Sequence, residues 1–168
     1  PGAVTVCWSA IAVSSSSSER SVRVASVTLD AGLLEQLNAV RADHGLPLFR
    51  TNPRLAAAAA QHAREMASDG YFDHSSADGT SFAERIAHWY PSAGYSRWSV
   101  GENLLYSSPE ATADQSLELW MHSPDHRENL LSTSWREIGL SAIHFDTAPG
   151  EYENDAVTIV TADFGFRR

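Results

Sequence analysis

The sequence predicts an α+β domain, with helices packed on a small antiparallel sheet. Three observations lead there. The chain has 168 residues, 43% of them hydrophobic and 20% charged, which is enough for one domain with a core and too few for two ordinary ones. Its middle is a series of helical stretches, several opened by a capping residue followed by proline. Its last two apolar runs, IGLSAIHF and AVTIVTADFGF, have no helix between them, so they should pair as an antiparallel hairpin.

The elements follow in order. Residues 1–30 read as a signal-peptide remnant and linker. GAVTVCWSAIAV has the length of a signal-peptide apolar region, ends in the A-x-A pattern of Ala10 and Ala12, and precedes a serine run at 14–18. A disordered end or a single edge strand is the alternative. VTVC lacks the small residues that precede a lipidated cysteine, so Cys7 does not read as a lipid anchor. The domain is expected over 31–168, with Asp30 as the first N-cap. Leu33, Leu34, Leu37 and Val40 have helical spacing, and Gly45 and Pro47 end that helix. Asn52-Pro53 opens a second helix that runs to Gly70. Its five consecutive alanines make a thin surface that lets another layer approach. Ser81 and Glu84 form a capping box for a third helix, which ends at Pro91. SVGENLLYSS reads as a strand interrupted at Gly101. Ser108-Pro109 and Ser123-Pro124 repeat the cap-then-proline signal and open two more helices.

The formal net charge is −9 and the pI near 5.1. An acidic surface repels phosphate backbones and anionic membranes, so nucleic acid is not an expected partner. The single cysteine has no partner within the chain. No apolar run is long enough to span a membrane as a helix, and a monomer is expected. There is no G-x-S-x-G elbow, no glycine-rich phosphate loop and no C-x-x-C pair. The acidic stretch around Asp146, Glu151, Glu153, Asn154 and Asp155 lacks calcium-loop spacing and reads as a solvated turn.

Three polar residues stand apart: His74 in YFDHSSADG, Glu102 in VGENLLY and His126 in HSPDHRENLL. Two imidazoles and a carboxylate suit a divalent metal such as zinc, or acid–base chemistry. Their separation means that folding must assemble any site. His126 falls in the first turn of a helix, which favours its neutral form; packing or capping is its alternative role. Glu102 interrupts an apolar strand, where a buried carboxylate is costly unless paired, although alternation could also turn it to solvent. Gly101 before it suggests a close approach to the backbone. His74 taken alone reads as an ordinary loop histidine, and His62 as a surface or boundary residue. His122 and His126 are four apart, but Ser123 and Pro124 remove the glutamate and the continuous helix of a zinc-protease motif.

Taken together, YFDHSSADGTSFAERI, VGENLLYS, LWMHSPDHRENLLSTSWREIGLSA and TADFG resemble the bacterial branch of the CAP superfamily. That superfamily holds the SCP-like extracellular domains: cysteine-rich secretory proteins, antigen 5 and pathogenesis-related 1 proteins. The opening helix LLEQLNAVRADHGLPL resembles it too. The resemblance implies a secreted, extracellular protein with an α-β-α sandwich and a cleft lined by His74, Glu102, Ser123 and His126. Ser123 stands where the eukaryotic pattern has a second glutamate, and its residue type suits an N-cap. A metal would fall to His74, Glu102 and His126. No catalytic residue is assigned, because many relatives are regarded as binding proteins. The expected partner is a small molecule, a lipid or a cell-envelope component. A metal-assisted hydrolase with Glu102 holding the metal or acting as base, and a non-catalytic interaction module, are the alternatives.

Overall fold

A computed structural model describes the backbone of residues 22–168 and the side chains from Leu29 onward. The expectations for Cys7, the A-x-A pattern and the serine run lie outside the described residues. The elements are α1 (Val22–Asp43), β1 (Arg50–Thr51), α2 (Pro53–Asp69), α3 (Phe82–Trp89), β2 (Trp98–Ser107), α4 (Ala113–His122), α5 (Pro124–Leu131), β3 (Glu137–Phe145) and β4 (Val157–Arg167), with a single 3-10 turn at Gly150–Tyr152. The strand order is β1-β3-β4-β2. β3 and β4 form the expected antiparallel pair, and β2 adds antiparallel to β4. The two-residue β1 joins β3 in parallel, a pairing too short to leave a sequence signal.

Alternation along the strands sorts the core into two layers. Val160, Ala162, Phe164 and Leu105 pack with Leu33, Leu37, Trp120 and Leu130 of α1, α4 and α5. Val157, Ile159 and Leu104 pack with Ala63 and Met66 of α2 on the opposite face, where Val100 meets Leu55, Phe82 and Ile86. The result is an α-β-α sandwich. The alanine run of α2 does bring helix and sheet unusually close. A Cβ at Gly139 of β3 would lie 2.0 Å from the Ala56 nitrogen.

Local signals set most boundaries. Asn52 caps α2 by accepting from the Arg54 N–H, and Gly70 ends it in the left-handed conformation. Ser81 and Glu84 form the full capping box of α3. Three expectations need correction. α1 begins at Val22, so Asp30 lies inside the helix rather than capping it; its carboxylate accepts from the backbone of Ala142 on β3. Nothing from 22 to 31 breaks a helix, since Gly and Pro are both missing there. α4 starts at Ala113, not after Ser108-Pro109, because Thr112 and Gln115 make a capping box there. Ser108 instead donates its hydroxyl to the Ala156 carbonyl, 2.8 Å away. Finally, β2 runs unbroken through Gly101, whose missing side chain makes room for the Trp135 ring; a Cβ there would lie 2.8 Å from it.

Two carbonyls on the outer edge of β2 accept from helix side chains. Trp120 of α4 donates to the Leu104 carbonyl at 3.2 Å, and Asn129 of α5 donates to the Glu102 carbonyl at 3.3 Å. Asn129 also donates to Asn103, which in turn donates to the His126 carbonyl at 3.1 Å. This chain of amides docks α5, and with it His126, against β2.

Candidate functional site

Glu102 points into the α2 layer and is buried. Its carbonyl faces outward to Asn129, so Glu102 and its partner Asp163 on β4 form a non-hydrogen-bonded pair. In such a pair the two side chains stand closest. Both Glu102 oxygens are engaged. Oε1 accepts from His74 Nδ1 at 2.7 Å, and Oε2 accepts from Arg85 Nη2 at 2.5 Å. Arg85 also donates from Nη1 to the His74 carbonyl at 3.0 Å and to the Ser76 hydroxyl at 3.3 Å. The guanidinium thus grips the carboxylate and the loop that carries His74 together.

Electrostatics follow from that geometry. Burial alone would raise the Glu102 pKa, but the Arg85 charge and the His74 hydrogen bond hold it well below the usual carboxylate range. Asp163 goes the other way. It is fully buried and the Glu102 charge stands beside it, so burial first and repulsion second push its pKa well above the usual carboxylate range.

His126 is 1% exposed, and neither ring nitrogen has a hydrogen-bond partner. Burial, reinforced by the nearby His74, lowers its pKa to about 4, so the ring is neutral at physiological pH. His74 is the one member of the trio with appreciable contact with solvent, its side chain 13% exposed. The neutral His126 ring and the His74 ring with a carboxylate behind it suit a soft or borderline cation, with Glu102 orienting His74 rather than binding directly. Among the described residues, no group of three or more His, Cys, Asp or Glu side chains is arranged to hold a metal ion.

Ser123 does occupy the N-cap position of α5, but its side chain makes no capping hydrogen bond. The residue is a hinge shared by two helices. Its N–H goes back to the Leu119 and Trp120 carbonyls, and its carbonyl accepts from the Arg127 N–H. Pro124 at the first position has no N–H to be satisfied. His122, on the exposed end of α4, bonds the Glu118 carbonyl and takes no part.

His62 is not a surface residue: it is fully buried on α2. Its Nε2 donates to the Asp73 carbonyl at 2.8 Å, which anchors the loop just before His74, and its Nδ1 lies 3.5 Å from Glu65. Burial lowers its pKa, against the pull of Glu102. The sequence did carry signals for the burial of His62, which it placed at the surface or boundary, and for Arg85 and Asp163, which it passed over. His62 falls in the stripe Leu55, Ala58, Ala59, His62, Met66; Arg85 falls in the stripe Phe82, Ile86, Trp89; and Asp163 interrupts an apolar strand as Glu102 does.

The cysteine-rich secretory protein family (CAP) model matches residues 34–162. The chain is similar to YlbC of Bacillus subtilis (strain 168), an uncharacterized membrane protein. The two are 26% identical over 113 residues, which is 67% of this chain and 31% of that protein, so this chain spans less than a third of that relative. Among solved structures, an extracellular protein containing an SCP domain from Bacillus anthracis (strain Ames) has a TM-score of 0.63 at 23% identity, covering 83% of this chain and 40% of that one. An outer surface protein from Borrelia burgdorferi has a TM-score of 0.61 at 20% identity, covering 81% of this chain and 90% of that one. These likenesses are to the fold. No described helix is long and apolar enough to cross a membrane.

Proposed function

Because the chain belongs to the cysteine-rich secretory protein (CAP) family, we propose that it is a secreted binding protein whose His74–Glu102–His126 cluster takes a divalent cation and, through it, a small-molecule, lipid or cell-envelope ligand. The extracellular and outer-surface nature of proteins with this fold supports the location. The observation that carries the site is His126, a buried, neutral imidazole without a hydrogen-bond partner, close enough to His74 to depress its own basicity. Burying such a group unpaired costs free energy that a ligand would recover. His74 and His126 would hold the ion, with Glu102 as the carboxylate behind His74. A bound cation would supply Lewis acidity toward an anionic or carbonyl group.

A hydrolytic reading draws on the same pair, since a carboxylate-backed imidazole is a general-base arrangement. Ser123 supplies no second carboxylate, and the other nearby carboxyl, Asp163, is sealed beneath α2.

Calorimetric titration with zinc tests the reading. Wild type and His122→Ala should show one saturable site. His74→Ala and His126→Ala should lose it. A flat wild-type isotherm, or equal binding in all four proteins, would sink the metal site.

A further inference from the structure

Half of the chain's basic residues gather at one end of the sheet. β1, β2 and β3 begin there and β4 ends there: Arg50 pairs with Glu137, Glu137 with Gly165, and Trp98 with Arg167. Every strand brings arginine to that end. Arg50 is on β1, Arg136 just before β3, Arg97 just before β2, and Arg167 and Arg168 at the close of β4. Arg54 joins them from the first turn of α2. These are six of the twelve basic residues in the chain. The segments that carry them, 44–54, 91–98, 132–137 and 164–168, hold one of its twenty-one acidic residues, Glu137. We propose that this arginine-rich end is a docking surface for an anionic lipid membrane, on which the protein sits without crossing it. The inference does not depend on any ion at the His74 cluster.

The charges are available. Glu137 is already engaged, accepting from the Tyr90 hydroxyl at 2.5 Å and the Asn52 amide at 2.7 Å. Among the described residues, Arg85 is the only arginine in an ion pair. The charges are also held in place. The Arg167 guanidinium lies 4.1 Å from the centre of the Tyr90 ring and 4.8 Å from that of Tyr95. Arg136 donates to the Thr133 and Trp135 carbonyls at 2.6 and 2.8 Å. Rings and carbonyls orient a guanidinium without neutralising it.

Apolar side chains decide between a membrane and a soluble polyanion. Three large hydrophobic side chains are exposed among the described residues, and two of them belong to this end. Leu48, two residues before Arg50, is 52% exposed, and Tyr95, against Arg167, is 42% exposed. Arginine suits lipid phosphate, and tyrosine and leucine beside it can enter the boundary between head groups and acyl chains. Four neighbouring strands spread the arginines over about 14 Å, a surface rather than a pocket. The net charge of −9 opposes docking only at long range. Charges more than about 8 Å away are largely screened in physiological salt, so a membrane facing this end meets chiefly arginine. Glu102 lies about 16 Å along β2 from Arg97, which leaves the His74 cluster clear of the head groups.

The test is co-sedimentation with vesicles at low salt. Wild type should bind vesicles of phosphatidylglycerol and phosphatidylcholine in equal parts, ignore phosphatidylcholine alone, and come off as salt rises. Each arginine at an anionic membrane contributes about fivefold to partitioning, so Arg50→Gln/Arg97→Gln should bind roughly 25-fold more weakly. Arg64→Gln/Arg127→Gln makes the same change in net charge at exposed positions elsewhere, and should bind like wild type. Leu48→Ser and Tyr95→Ser should each weaken binding to the vesicles. Thermal melting checks that every variant folds; if Arg97→Gln does not, Arg54→Gln replaces it. No binding of wild type to the anionic vesicles overturns the proposal, as do equal losses in the two arginine pairs. Binding to soluble polyphosphate as tight as to vesicles, with Leu48→Ser and Tyr95→Ser without effect on either, gives the surface to a soluble polyanion and overturns the membrane.

Discussion

A neutral imidazole sealed inside the fold ties stability to pH. The His126 pKa drops from 6.5 in an ordinary setting to about 4 in the folded protein, chiefly by burial. Between those values the unfolded chain binds a proton that the folded one refuses. Stability is therefore intact above about pH 6.5 and declines as pH falls toward 4. The full loss is on the order of 3 kcal/mol. Urea denaturation of metal-free wild type and His126→Gln across this range should show that decline as the difference in stability between the two proteins. A slope identical in the variant would mean that His126 is solvated in the folded state.

Among the elements, α1 carries the opposite dependence. Asp30 is half-buried against β3, and burial raises its pKa from 3.8 to about 6 despite the hydrogen bond from the Ala142 backbone. The protonated carboxyl suits the fold, so its benefit is present below about pH 3.8 and lost as pH rises through 6. At neutral pH the charged form is a burden. Asp30→Asn keeps an acceptor for Ala142 and removes the charge. It should raise stability at pH 7 by about 1–2 kcal/mol, allowing for its partial exposure, and by much less near pH 4. Because the His126 and Asp30 slopes oppose each other between pH 4 and 6, wild type should look flatter there than either single variant. The docking of α5 rests on a different chemistry. Asn103 is fully buried, donates to the His126 carbonyl and accepts from Asn129. Asn103→Ala strands both partners. It should cost about 2 kcal/mol and speed amide exchange in α5 more than in α2; equal exchange in the two helices would refute the linkage.

For the whole molecule, a ligand held only by the folded state raises the unfolding midpoint. Zinc at a hundred times its dissociation constant should add about 2.7 kcal/mol, or roughly 5–10 °C for a chain of this size. Calorimetric scans with and without chelator would read it, and no shift at saturating zinc would contradict the site. Much of the architecture was legible because local chemistry dictates it: Asn52-Pro53 opens α2, Gly70 closes it, and Ser81 with Glu84 opens α3. The start of α4 was misread because Ser108-Pro109 looks like a stronger signal than Thr112 and Gln115 three residues later. The site was half legible. His74, Glu102 and His126 interrupt their surroundings in ways that a sequence displays. The pairing of Glu102 with Asp163 does not show, since it depends on a register between strands sixty residues apart. β4 is buried on both faces, so no alternation told which way Asp163 turns. His62 was misplaced because alanine neighbours give a weak apolar stripe, and the groups it meets, the Tyr71 ring and the Asp73 carbonyl, belong to a loop that no periodicity places against the helix.

The amide chain along β2 has one more consequence. A ten-residue strand at the margin of a sheet offers a row of unpaired backbone groups, an invitation for another copy of the chain to add a strand and begin to aggregate. Here Trp120 and Asn129 bond two carbonyls of that margin, and Asn103, which accepts from Asn129, holds the His126 carbonyl. Redesigning α5 for a new ligand would therefore put solubility at risk along with specificity. Variants that loosen this helix should be screened for self-association before any loss of binding is blamed on the site.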